Sequence, residues 1–150
     1  MTSLNRNQKT ILYLIRKLSG LQYLVEGRKK LMKLMFLVDH YDMGKKSLLK
    51  ESFTGNKYII YHFGVFSYDV MNAYISLNDK GLIKEYPIKL TEDHVIDLDE
   101  KTKEKVDNII DCFGKESGAV LENKTLEMLK LSKETKTKHF GQSVKELTGR

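Results

Sequence analysis

Asp39, His40 and Asp42 stand close together, and His62 follows in a later apolar segment. An Asp–His pair can hold a metal, or serve as a base whose imidazole the carboxylate orients. The spacing argues against both. Asp39 and Asp42 are three apart on an expected helix and share a face, which turns His40 aside, so this stretch makes a poor three-ligand site. A polar helix end carrying a surface histidine is the simpler expectation. A second set, Asp93, His94, Asp97 and Asp99, suits a solvated hairpin. There is no Gly-rich phosphate loop, HExxH or GxSxG. The single cysteine, Cys112, follows Ile109 and Ile110 in a helical pattern and has no Cys–His spacing for zinc, so a partly buried inert thiol is expected. These residues predict no enzyme, metal or cofactor, and turn attention to binding.

The 150 residues suffice for one domain with one core, at 41% hydrophobic and 31% charged, with one proline and ten glycines. No apolar run approaches the length of a membrane-spanning helix, and the first residues lack the apolar core of a signal peptide. A lone cysteine suits a reducing compartment, so a cytoplasmic protein is expected. The net charge of +6 is uneven: residues 1–50 hold 11 Lys/Arg against 3 acids, whereas residues 51–100 hold 4 against 9. A basic first third can meet phosphate or an acidic protein surface.

Periodicity supplies the elements. Ile11, Leu14, Ile15 and Leu18 mark an amphipathic helix that Gly20 stops. A second helix is predicted from Arg28 to about Met43, with Leu31, Leu34, Met35, Val38 and Tyr41 inward and Lys29, Lys30 and Lys33 on the other side. Residues 45–56 read as a polar connection. Tyr58, Ile59, Ile60, Tyr61 and Phe63 read as a strand broken by Gly64. Ser67 is the expected N-cap of a third helix, with Val70, Ala73, Tyr74 and Leu77 buried and Gly81 as its stop. A wing-shaped hairpin should follow, turning at Thr91–His94 before Val95, Ile96 and Leu98. Val106, Ile109, Ile110 and Phe113 mark one further helix, and Leu121, Met128 and Leu129 another. Ser132 to Arg150 reads as a short helix or docked tail. The fold class is α+β: a mainly helical single domain with a short strand and hairpin and a winged-helix-like centre.

That shape suits a DNA reader, but its charge does not. Tyr68, Asp69, Asn72, Ser76, Asp79 and Lys80 lie off the buried face of the third helix, and Ser67–Lys80 carries a net charge of −1. The adjoining wing is acidic. Acids near the phosphate backbone oppose the neutralisation on which DNA affinity depends. Phe66 and Tyr68 flank Ser67 at a turn, where one ring can pack inward and the other stay available as an interface anchor.

The stretches GRKKLMKLMFLVDHYD, KYIIYHFGVFSYDVMNAYISLNDKGLIKEY and VIDLDEKTKEKVDNII resemble the Panacea family, the SocA-like antitoxin-associated domain, especially its YwgA-like prokaryotic branch. Lys30, Lys33, Leu34 and Phe36 match its first helix, and Gly64, Phe66 and Ser67 its turn. Leu77, Gly81, Leu82 and Ile83 match the end of its next helix, and Leu98 a later strand. Val65 stands where that family usually has proline, and Asp99 and Thr102 replace its usual Thr and Gly. The match spans residues 27–113. The resemblance implies a mixed helical and short-strand domain that neutralises a toxin by direct binding or delivers a partner to a protease, without catalytic residues. The expectation is a non-enzymatic protein-binding module, antitoxin-like or an adaptor, with Phe66, Tyr68 and Asn72 as partner-binding residues. The alternative is a nucleic-acid-binding regulator that uses Lys29, Lys30 and Lys33. No membrane partner is expected.

Overall fold

The computed structural model describes residues 3–148. In chain order its helices are α1 (Arg6–Gly20), α2 (Arg28–His40), α3 (Tyr68–Asp79), α4 (Glu100–Phe113), α5 (Gly118–Met128) and α6 (Val144–Leu147). Three two-stranded antiparallel hairpins join them: β1 (Tyr41–Asp42) with β2 (Ser47–Leu48), β3 (Ile59–Tyr61) with β4 (Gly64–Phe66), and β5 (Ile83–Lys84) with β6 (Lys89–Leu90). The result is one α+β domain.

Local signals account for the helix ends. Asn5 accepts from the Gln8 amide while the Gln8 side chain accepts from the Asn5 amide, a reciprocal cap that starts α1. Ser67 Oγ accepts from the Val70 amide at 3.3 Å and starts α3. Gly81 reverses the chain after α3 at φ +74°, a conformation glycine adopts without strain. The stripes of α1, α3 and α4 are buried as their periodicity predicts, including Val70, Ala73, Tyr74 and Leu77.

Helix α2 departs from expectation. It ends at His40, and Tyr41 belongs to β1, whose partner β2 lies within the stretch read as a polar connection. Every residue from Lys30 to His40 is buried, because α3, α4, α5 and β4 all pack against this central helix. Lys30 and Lys33 therefore do not face solvent. Met32, Phe36 and Leu37 lie outside the expected stripe, and a helix apolar on all sides is a buried one.

Two hairpins also differ. Gly64 does not break a strand; at φ +90° it completes a reversal and opens β4, so that Tyr61 pairs with Gly64 and Ile59 with Phe66. The wing exists, but it turns between Lys84 and Lys89 and not at Thr91–His94. Residues 95–98 form no strand, and Val95 is fully exposed. Cys112 is exposed near the C-terminal end of α4, which overturns the partly buried thiol.

The tail docks as expected, by backbone pairing along β3. The Ile60 amide donates to the Gln142 carbonyl at 3.1 Å, the Gly141 amide to Ile60 at 2.8 Å and the Val144 amide to Tyr58 at 2.9 Å. Residues 149 and 150 of that stretch lie outside the described residues. Among the described residues, no helix is long and apolar enough to cross a membrane.

Candidate functional site

The Asp39–His40 pair is a structural joint. Asp39 is buried at the end of α2 and accepts from Thr54 N at 2.9 Å, Thr54 Oγ1 at 2.6 Å, Asn56 Nδ2 at 3.1 Å and Tyr58 Oη at 2.6 Å. Asn56 in turn exchanges hydrogen bonds with Asn7 of α1 at 2.7 and 2.9 Å. Burial and the Asp39 charge hold the Tyr58 phenol well above its ordinary pKa, so it stays a donor. His40 is buried too, not on the surface: Nδ1 donates to the Leu49 carbonyl at 2.8 Å, and the ring packs against Phe36 and Tyr58. Asp42 has left the helix and accepts from the Gly44 amide in the β1–β2 turn, so the two aspartates share no face. His62 sits apart, exposed on the β3–β4 turn between the rings of Tyr61 and Phe140. Among the described residues, no three His, Cys, Asp or Glu side chains gather to hold a metal ion.

The three lysines of α2 do not form a phosphate-facing cluster. Lys30 Nζ donates to the Leu24 carbonyl at 2.6 Å, and Lys33 Nζ to the Val65 carbonyl at 2.8 Å. Burial pushes the Lys33 ammonium down to about 7, against a pull upward from Glu122. Lys29 meets Glu122 Oε1 at 2.5 Å, and Lys136 of the tail meets Glu122 Oε2 at 2.7 Å. Burial works to raise the Glu122 pKa, and its bonds from Lys136 and Lys29 more than reverse this, so Glu122 stays ionised between two cations.

A cavity of about 390 Å³ opens between α2, the β3–β4 hairpin and α3. Met32, Tyr61, Phe63, Val65, Phe66 and Met71 make its apolar walls, and Arg28, Lys29 and Lys33 also line it. The rim is aromatic. Phe63 is 65% exposed with the Lys29 ammonium 5.2 Å from its ring centroid, and Tyr68 is 58% exposed. Phe66 is half-buried, and the Tyr68 ring meets it edge-on at 4.9 Å. The turn thus brings Phe66 and Tyr68 together, one packed inward and one available. Asn72 is not part of this surface; it lines a separate polar groove with Asn7 and Asp69.

The wing braces the same wall. Glu85 accepts from Arg28 Nε at 2.8 Å and Nη2 at 3.2 Å, and it also takes the Tyr74 hydroxyl. The Arg28 bond, more than the Tyr74 one, draws the Glu85 carboxyl down to about 2. Of the residues around the cavity, the sequence marks Phe66 as a candidate partner contact and Lys29 and Lys33 as candidate nucleic-acid contacts, without bringing them together. Met32 and Phe36, outside a clean stripe, were the signal that α2 had neighbours on all sides.

Fold and site together describe a small α+β domain with an aromatic surface around an apolar, cation-edged cavity. No protein-family profile, curated protein or solved structure matches this chain.

Proposed function

We propose that this chain is a non-enzymatic protein-binding module of the cytoplasm, antitoxin-like or an adaptor, that engages its partner through the surface around Phe66 and Tyr68. The observation that carries the reading is the continuity of exposed Tyr68 and Phe63 with a cavity walled by Phe66 and Met71. Aromatic side chains held on a short hairpin lose little freedom on binding, and interface hot spots concentrate where they meet a pocket. The resemblance to the Panacea family supports the same reading through its motif residues. Lys30 and Lys33 each tie α2 to a carbonyl outside the helix, Gly64 makes the hairpin, and Ser67 caps α3. These are residues that hold a binding surface in place. Toxins and protease substrates are the partner classes the resemblance implies.

The nucleic-acid alternative loses its main support, since two of the three lysines it needs are buried and the third is paired with Glu122. The test is capture of partners from native-host lysate by wild type, Phe66→Ala and Tyr68→Ala, read by mass spectrometry. A partner retained by wild type and depleted by the aromatic variants supports the reading. Salt-sensitive retention of duplex DNA, unaffected by those variants, opposes it.

A further inference from the structure

The cavity behind the aromatic rim carries charge that its surroundings do not cancel. Glu85 is engaged by Arg28, and Glu122 is shared between Lys29 and Lys136. Among the described residues, Lys33 has only the neutral Val65 carbonyl as its hydrogen-bond partner. Arg28, Lys29 and Lys33 at the cavity, with Lys136 beside Glu122, thus outnumber two carboxylates even with Lys33 only partly protonated near neutral pH, at the edge of walls that are otherwise apolar. A ligand that fits needs an apolar body and an anion close beside it.

We infer that the cavity receives the C-terminal residue of a partner polypeptide, with its apolar side chain among Met32, Phe63, Phe66 and Met71 and its α-carboxylate toward Lys29 and Lys33. This rests on the reading of the chain as a protein-binding module. A chain end is favoured over an internal segment by what the walls lack. An internal segment would bring peptide groups on both sides of its anchor into an apolar cavity, and each unpaired buried group costs about 1–3 kcal/mol. A terminal residue brings one amide and a full negative charge, which the surplus cation can pair. A polypeptide is favoured over a free acid by the rim. Tyr68 and Phe140 lie outside the cavity, beside Phe66 and Tyr61. A chain leaving the cavity covers such rings; a small acid leaves them wet.

The arriving carboxylate also favours the charged form of Lys33, whose ammonium burial holds low. The other titratable groups around it are Lys29 and Arg28 on α2, Tyr61 and His62 on the hairpin, Glu122 on α5 and Lys136 on the tail. Above neutral pH, binding should therefore take up a proton.

The probes are the hexapeptide Gly-Ser-Gly-Ser-Gly-Phe with a free carboxylate, the same peptide amidated, and 3-phenylpropionate. Titration is followed at the backbone amides of Gly64, Val65 and Phe66 by NMR. The free-acid peptide should bind at least about tenfold more tightly than the amide. Lys33→Met should erase that difference, and if this variant does not fold, Lys29→Met should reduce it. Met71→Trp, which fills the cavity, should abolish binding of both peptides. Equal affinity of acid and amide overturns the inference, as does binding that Met71→Trp leaves intact. Binding of 3-phenylpropionate as tight as the peptide overturns the choice of a polypeptide. A protein partner lost with Tyr68→Ala but kept by Met71→Trp sinks capture of a chain end and leaves the protein-binding reading standing. Partner capture indifferent to Phe66→Ala and Tyr68→Ala sinks that reading itself, whatever the peptides do.

Discussion

Lys33 Nζ donates to the Val65 carbonyl across 2.8 Å, so the middle of α2 is fastened to β4 by an amine removed from water. Burial lowers its pKa from 10.5 to about 7. Between those values the unfolded chain holds a proton that the folded chain has released, so stability rises with pH across the window. The cost of keeping the charge buried is greatest below pH 7 and fades toward 10.5. Lys33→Met lacks this dependence. Urea unfolding of both proteins should show wild type gaining on the variant by up to ~1.4 kcal/mol per pH unit above neutrality. A pH-independent gap would show that Lys33 keeps an ordinary pKa in the folded protein.

Leu34 is completely buried on the same helix. Leu34→Ala should destabilise the fold by roughly 2–5 kcal/mol, measured by chemical denaturation. Wild-type stability in that variant would mean that α2 is not the central helix.

The Tyr58 hydroxyl reaches Asp39 at 2.6 Å with both groups buried. Tyr58→Phe should cost about 1.5–3 kcal/mol, as befits a hydrogen bond to a charged group. In the background of Asp39→Asn that loss should shrink, which a double-mutant cycle reads as coupling. Strict additivity of the two changes would dissociate the pair.

Where a feature depends on a few neighbouring residues, the sequence made it legible. The stripe Ile11, Leu14, Ile15 and Leu18 is fully buried, Ser67 caps α3, and Gly81 ends it. Where a feature depends on distant groups, it was not. Lysines read as solvent-facing because nothing near them in sequence announces that Leu24 and Val65 will offer carbonyls. His40 reads as a surface histidine because its enclosure comes from Leu49 and from Tyr58 just before β3, in segments that fold back over the helix end. The wing was expected too late in the chain because the alternation of Val95, Ile96 and Leu98 mimics a strand, though those residues pair with none. Phe66 and Tyr68 were visible as a turn pair, but the cavity beside them needs α2, the hairpin and α3 together.

Ser67 is fully buried and holds the Val70 amide at the start of α3. Ser67→Ala should lower stability by about 0.5–2 kcal/mol, seen as a lower melting temperature. An unchanged melting temperature would argue that the 3.3 Å contact contributes nothing.

Whether Phe66 and Tyr68 hold a partner is read by comparing the two aromatic variants with Lys29→Gln. Replacing Lys30 or Lys33 as well would change stability along with contact, since both are buried. Once a captured partner has been purified, its affinity should be measured for wild type, Phe66→Ala, Tyr68→Ala and Lys29→Gln, with thermal melts confirming that each is folded. Tyr68→Ala or Phe66→Ala should weaken binding by more than about 2 kcal/mol, roughly thirtyfold, with Lys29→Gln less harmful than either. Full affinity in both aromatic variants, beside duplex-DNA retention that falls with salt and is lost in Lys29→Gln, would contradict it.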